Sequence, residues 1–318
     1  MWRLFVAVPT EKRAMQRYFR LLDGCDRNLF SHVIVTPVMA SKQFLEYLRN
    51  LREAGQVERV MFDSGGYQVQ TGVIESFEKL CVRLVNVWRR HDWADYFVLP
   101  DHVPKSRDTE MEVEKKVRDT LLAGERFLKL LPKGGEPVGV VHGRSVVQVL
   151  KGVRSWHSLG VRYVAFGSFE TIGKNESINH VSDRAAVVLR ALVDEALSLG
   201  MKVHVFGIGS PSSLQKVFIA SPLVESVDSV SWRKVAGFHE VFFGLRWLRR
   251  FGDLRSKSNS WRLDDELLSK VKRFMGHDCP FCRSAVQLTD FTARSLHNLF
   301  VLHEIVDGFR HMAERMRE

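Results

Sequence analysis

The run Phe62-Asp63-Ser64-Gly65-Gly66-Tyr67-Gln68 sets a carboxylate at the end of an apolar segment and follows it with two glycines and an aromatic ring. Paired glycines reach positive φ and let a ligand come close to the backbone. A carboxylate beside a flat ring suits a planar heterocycle, because the ring stacks on the base while the acid handles an N–H. The same string also reads as a tight turn into a helix with Asp63 as its cap.

A second set of residues has the spacing of a metal site. His277-x-Cys279-x-x-Cys282 brings three nitrogen or sulfur donors into one turn, and His297 follows downstream as the fourth. Such a set holds Zn2+ tetrahedrally. His303 is the alternative fourth ligand. A redox role for Cys279 and Cys282 would call for a βαβ context, which their neighbours do not offer; unligated core cysteines are the other alternative. With only four cysteines in 318 residues, a disulfide-stapled fold is excluded.

These groups need a scaffold, and the apolar pattern supplies one. Short β-branched or apolar runs at 4–8, 32–36, 59–62, 96–99, 138–141, 163–166, 202–206 and 226–230 alternate with amphipathic stretches near 11–22, 41–54, 75–91, 108–131, 145–158, 181–199 and 211–219. That alternation belongs to a parallel sheet with helical crossovers. Eight strands predict an α/β fold, a (β/α)8 TIM barrel. The strand ends agree: Asp63-Ser64-Gly65-Gly66, Pro100-Asp101-His102, His142-Gly143-Arg144, Gly167-Ser168, Gly207-Ile208-Gly209 and Asp228-Ser229 all fall where such barrels collect their chemistry. The expected organisation is a catalytic barrel over 1–251, then a linker, a zinc-binding module and a C-terminal helix over 252–318. The polar residues 252–262 are the linker candidate.

Apolar residues make up 45% of the chain and charged residues 26%, and no stretch approaches the roughly 18 apolar residues of a membrane span. The apolar start ends at Pro9 and charged residues instead of a small-residue cleavage site, which predicts a cytoplasmic protein. The net charge of +10 suits a polyanionic partner such as DNA or RNA, or else a basic solvated surface. Arg144, Lys174, Arg233, Lys234 and the basic residues of 245–257 are candidate phosphate contacts.

The run from Phe62 to Gln68 resembles the motif of the tRNA-guanine transglycosylase superfamily, and further similarities follow in order. Pro100-Asp101 resembles the family's second acidic position, which grips the base. Gly139-Val140-Val141-His142-Gly143 is similar to its Gly-Ile-Val-Gln-Gly strand, with His142 where Gln is usual. Phe166-Gly167-Ser168 resembles its Gly-Gly-Leu turn, and Phe206-Gly207-Ile208-Gly209-Ser210-Pro211 its Met-Gly-Val-Gly-Thr-Pro. Val224-Glu225-Ser226-Val227-Asp228 resembles the strand whose last Asp is the nucleophile. In the metal module the family has Cys at the first position and a longer gap before its His, so His277 and the shorter gap are departures. Asn298-Leu299 after His297 matches the family's usual Asn-Leu.

The resemblance implies an exchange of guanine for a free 7-deazaguanine base. Asp228 would attack C1′ and expel guanine, leaving a covalent ester. Asp63 would act as general acid and base, as in retaining glycosidases. Ser64, Gly65, Gly66, Tyr67, Gln68, Asp101, His142, Gly143, Gly167 and Ser168 would form the base site, with His142 either bonding the base carbonyl or satisfying a backbone group. The His-x-Cys-x-x-Cys variant, Trp232 shortly after Asp228-Ser229, and a chain ending just after the metal module resemble DNA 7-deazaguanine transglycosylases. DNA is therefore the expected polymer, with tRNA the alternative and a homodimer the expected assembly. Two other readings remain: a non-catalytic nucleic-acid-binding barrel that has lost exchange, and an unrelated barrel hydrolase with two acids.

Overall fold

The structure, a computed structural model, describes residues 2–23, 25–167, 183–244, 246–248 and 263–316. Eight parallel strands close into a barrel in chain order. They are β1 (Arg3–Ala7), β2 (His32–Val35), β3 (Arg59–Phe62), β4 (Tyr96–Val98), β5 (Glu136–Val141), β6 (Tyr163–Phe166), β7 (Lys202–Val205) and β8 (Ser226–Ser229). β1 seals the ring by pairing with β8, Arg3 opposite Ser226 and Phe5 opposite Asp228. All eight expected strands form, close to their expected limits.

The helices are α1 (Lys12–Leu21), α2 (Lys42–Glu53), α3 (Gly66–Gln70), α4 (Phe77–Trp88), α5 (Glu110–Leu128), α6 (Val146–Ser158), α7 (Asp183–Ser198), α8 (Pro211–Ala220), α9 (Ser231–Gly237), α10 (Asp265–Met275) and α11 (Phe291–Arg315). Most begin at a short polar side chain that accepts a hydrogen bond from the first turn. Ser41, Ser76, Ser145, Ser210, Asp264 and Asp290 do so, and Thr109 with Glu112 forms a reciprocal capping box. The apolar stripe that each helix turns inward is visible in α4, where Phe77, Leu80, Leu84 and Trp88 are buried.

Two cores result. One lies between the strands and the surrounding helices. The other fills the barrel with Phe5, Ile34, Met61, Tyr96, Val98, Val138, Val140, Tyr163 and Ala165. Most strands are therefore apolar on both faces, as buried parallel sheets require. The filling is interrupted on β7 and β8, where His204 and Ser226, partners in register, are wholly buried.

Three helices, α3, α9 and α10, and a hairpin were not anticipated from the sequence. α3 follows the strand end bearing Asp63, and α9 follows β8. The hairpin joins β9 (Val241–Phe243) to β10 (Arg246–Leu248); its runs are too short to show a period. α11 packs on α9, α1, α8 and β1, and Arg310 donates to the carbonyl of Trp2. The linker expected at 252–262 lies outside the described residues, as do Ser168, Lys174 and 249–257. Among the described residues no helix is long and apolar enough to cross a membrane.

Candidate active site and metal-ligating cluster

The C-terminal end of the barrel opens into a cavity of about 510 Å3, within the range of small-molecule sites. Asp63, Asp101 and Asp228 all line it, with apolar surface from Val35, Val103, Phe206 and Val230. The strands explain the convergence. Asp63 immediately follows β3, Asp101 lies just past β4, and Asp228 is the third residue of β8. Ser226 and Asp228 share the inward face of β8 because strand side chains alternate.

Each carboxylate is held differently. Asp63 accepts the Thr36 hydroxyl at 2.8 Å on Oδ2. Burial pushes its carboxyl up to about 7; Thr36 opposes the shift, and the negative charges of Asp101 and Asp228 add to it. At neutral pH Asp63 is thus poised between acid and base, as a proton-transfer group should be. Asp228 accepts the Gly207 N–H at 2.7 Å and faces His204 Nε2 at 3.3 Å. Both contacts fall on Oδ1. Among the described residues Oδ2 takes no hydrogen bond, which leaves one oxygen of Asp228 for a ligand. Asp101 is engaged on both oxygens, by the Ser64 hydroxyl on Oδ1 and by His142 Nε2 at 2.8 Å on Oδ2.

The two glycines of the first motif serve different ends. Gly65 adopts φ 86° at the start of α3, a backbone state that other residues enter at a cost. Gly66 is needed for space, because a Cβ there would collide with the Asp101 carboxylate. Ser64 and Gly66 thereby set Asp101 against the α3 turn, with Tyr67 44% exposed at the rim.

Of the residues expected in the base site, Ser64, Gly66, Tyr67, Gln68, Asp101 and Gly167 line the cavity alongside Asp63 and Asp228. The amide oxygen of Gln68 is buried without a hydrogen-bond partner among the described residues. Gly65 and Gly143 do not line it; Gly143 instead lies tight against Gln148 and Val149 of α6. His142 corrects an expectation. Its imidazole lies behind Asp101, 1% exposed, and a Cβ on Gly167 would strike its ring. It backs the carboxylate and neither faces the cavity nor bonds the backbone. The Arg144 guanidinium donates to the carbonyls of Asp108, Lys105 and Ser106 and so braces the loop after β4. Among the described phosphate candidates Lys234, exposed on α9, is the one that lines the cavity.

Sequence reasoning passed over Thr36, Phe206 and His204. All three belong to segments read as strands, and two-residue periodicity back from Phe206, which lines the cavity, puts His204 on the inward face of β7.

The second cluster lies away from the cavity. The ligand atoms of His277, Cys279, Cys282 and His297 all fall within 4.8 Å of one another, and all four residues are buried. The sulfurs are 3.2 Å apart. The Cys282 thiol is pulled down by its hydrogen bond with Cys279, whose own thiol is pushed up. His277 Nε2 is buried with no hydrogen-bond partner among the described residues, while its Nδ1 bonds Glu304 at 2.8 Å. His297 turns Nδ1 to Cys279 Sγ at 3.4 Å and bonds the Phe242 carbonyl through Nε2 at 2.8 Å. Each imidazole therefore presents one nitrogen inward and anchors the other, the arrangement by which metal-ligating histidines are held. This group could hold a metal ion. His303 is no part of it, since its Nε2 bonds the carbonyl of Leu29. The chain matches no protein-family model and no curated protein.

Proposed function

We propose that this protein is a guanine transglycosylase that replaces guanine in DNA with a 7-deazaguanine base. The carrying observation is the convergence of three differently held carboxylates on one cavity, Asp228 with a free Oδ2 and Asp63 raised to about 7. The motif resemblance to the transglycosylase superfamily supports the same reading.

In the first half-reaction Oδ2 of Asp228 attacks C1′ of the target nucleotide. The C1′–N9 bond breaks, and protonated Asp63 delivers its proton to N9, so that guanine leaves neutral. A 7-deazaguanine then enters. Asp63, now a carboxylate, removes the proton from the corresponding ring nitrogen. That nitrogen attacks C1′, the ester C–O bond breaks, and both carboxyl groups return to their starting states with configuration retained. Asp101 accepts from the exocyclic amine and ring N–H of the base, and Tyr67 and Phe206 contribute flat surface to the same cavity. Because the cavity sits in a barrel mouth, the target nucleotide must leave its stack, at a cost of roughly a few kcal/mol.

The donor set of the second cluster, two thiols and two backed imidazoles, fits Zn2+. When bound, zinc would cross-link the segment at 277–282 to α11. His297 and Asn298 on α11 both bond the Phe242 backbone, and Asn298 also bonds the Trp232 carbonyl on α9. The role is architectural, steadying the elements that follow Asp228.

Release of labelled guanine from duplex DNA, single-stranded DNA and tRNA, each with free 7-deazaguanine, tests the reading. Release from DNA supports it, release from tRNA alone moves the substrate to RNA, and release from neither removes the enzymatic reading.

A further inference from the structure

A chain of polar side chains crosses the barrel core beneath Asp228. Tyr163 on β6 places its hydroxyl 2.5 Å from Ser226 Oγ on β8. Ser226 Oγ lies 2.6 Å from His204 Nδ1 on β7, and His204 Nε2 lies 3.3 Å from Asp228 Oδ1. Tyr163, His204 and Ser226 are buried, His204 and Ser226 completely. They stand among the apolar residues that fill the barrel, and the rings of Phe5 and Phe206 close on His204 edge-on. Polar groups there cost stability unless each is hydrogen-bonded.

With Asp228 ionised, one arrangement satisfies every group. Tyr163 donates to Ser226, Ser226 donates to Nδ1, and Nε2–H donates to Oδ1. A doubly protonated imidazole would leave one buried hydroxyl hydrogen without an acceptor among these groups. The opposite neutral tautomer would aim a lone pair at the carboxylate. The chain therefore selects the neutral imidazole with its proton on Nε2.

We propose that His204 is a positioning residue for Asp228, locked in the Nε2–H tautomer by Ser226 and Tyr163, and that with the Gly207 N–H it cradles Oδ1. The proposal rests on Asp228 being the nucleophile. Two donors on Oδ1 turn Oδ2 toward the sugar and stabilise the carboxylate charge that returns when the ester breaks. Their effect falls on the second half-reaction, in which Asp228 is the leaving group, much as preorganised donors serve an oxyanion.

The test has two arms. Nitrogen-15 NMR of histidine-labelled protein at pH 7, without substrate, reads the tautomer independently of any activity. The expected result is a single neutral Nε2–H form for His204 that is lost in Ser226→Ala; an Nδ1–H form or an imidazolium in the wild type overturns the proposal. The second arm compares His204→Leu with His204→Gln, whose carboxamide can still donate to Oδ1. His204→Leu should lower kcat for exchange about 10- to 100-fold, keep KM within about twofold, and raise the fraction of enzyme trapped as covalent adduct. His204→Gln should recover most of the rate. An unchanged kcat in His204→Leu, or a folded His204→Gln no better than it, overturns the proposal. A wild-type protein that exchanges no base instead overturns the functional reading, and the NMR arm still decides whether the tautomer is locked.

Discussion

His142 Nε2 lies 2.8 Å from Asp101 Oδ2, and the imidazole stands wholly behind the carboxylate it holds. Removing one partner from a buried charged hydrogen bond costs far more than the bond's net worth. His142→Ala should therefore loosen Asp101 and raise KM for the incoming base about tenfold, on the order of 1.4 kcal/mol, with a smaller change in kcat. Steady-state kinetics over a range of base concentration check it. Gly167→Ala drives a methyl group into the same ring and should destabilise the fold by about 1–3 kcal/mol, measured by urea unfolding.

Asp63 makes an opposite prediction for stability and for activity. Burial lifts its folded carboxyl to about 7, against 3.8 for a free aspartate, so the folded state holds the extra proton between those values. Stability from this group is complete below about pH 4 and is lost as the pH rises through 7. Asp63→Asn removes that loss. It should be more stable than the wild type at pH 8, on the order of 2 kcal/mol after allowance for the partial exposure of the site, with the gain vanishing near pH 4. Thermal melts across pH check the sign. Guanine release should meanwhile fall by at least about 100-fold.

Metal removal should act at a distance through the backbone anchors. Stripping the cluster, or replacing Cys279 by Ser, frees His297 and with it the Phe242 carbonyl contact on β9. A drop in Tm on the order of 5 °C is expected, restored by added Zn2+ in the stripped wild type but not in Cys279→Ser. Metal analysis of the purified protein should find about one ion per chain bound by a four-ligand site.

Lys234 stands exposed at the cavity lip, where, on the proposed function, it would meet a phosphate of the flipped nucleotide. Lys234→Gln should weaken DNA binding evenly across sequences and reduce the slope of log K against log salt by about one. Fluorescence anisotropy at several salt concentrations measures both. A wild-type affinity indifferent to salt would contradict a polyanionic substrate.

The barrel was legible because most of its strands are apolar on both faces and its helices begin at polar caps, so boundaries coincide with changes in composition. Asp63 and Asp101 were legible for a related reason, each following an apolar run, whereas Asp228 follows Glu225-Ser226-Val227 and was legible only through the motif resemblance. His142 was not, because its place behind Asp101 depends on how β5 and β4 sit side by side, which residue type does not reveal. His204 hid as one more residue of a buried strand. The choice between His297 and His303 was open in the sequence because both lie on one helix, and only packing shows that position 297 faces the cysteines. The β9–β10 hairpin has too few residues for periodicity to register.

The proposed mechanism stands on a covalent bond between Asp228 and the sugar. The most direct measurement is intact-protein mass spectrometry and denaturing gel analysis after incubation with guanine-containing DNA, followed by peptide mapping. An adduct mapped to Asp228 is expected, absent in a folded Asp228→Asn and discharged by free 7-deazaguanine. An adduct at another residue, or guanine exchange that continues in Asp228→Asn, would contradict it.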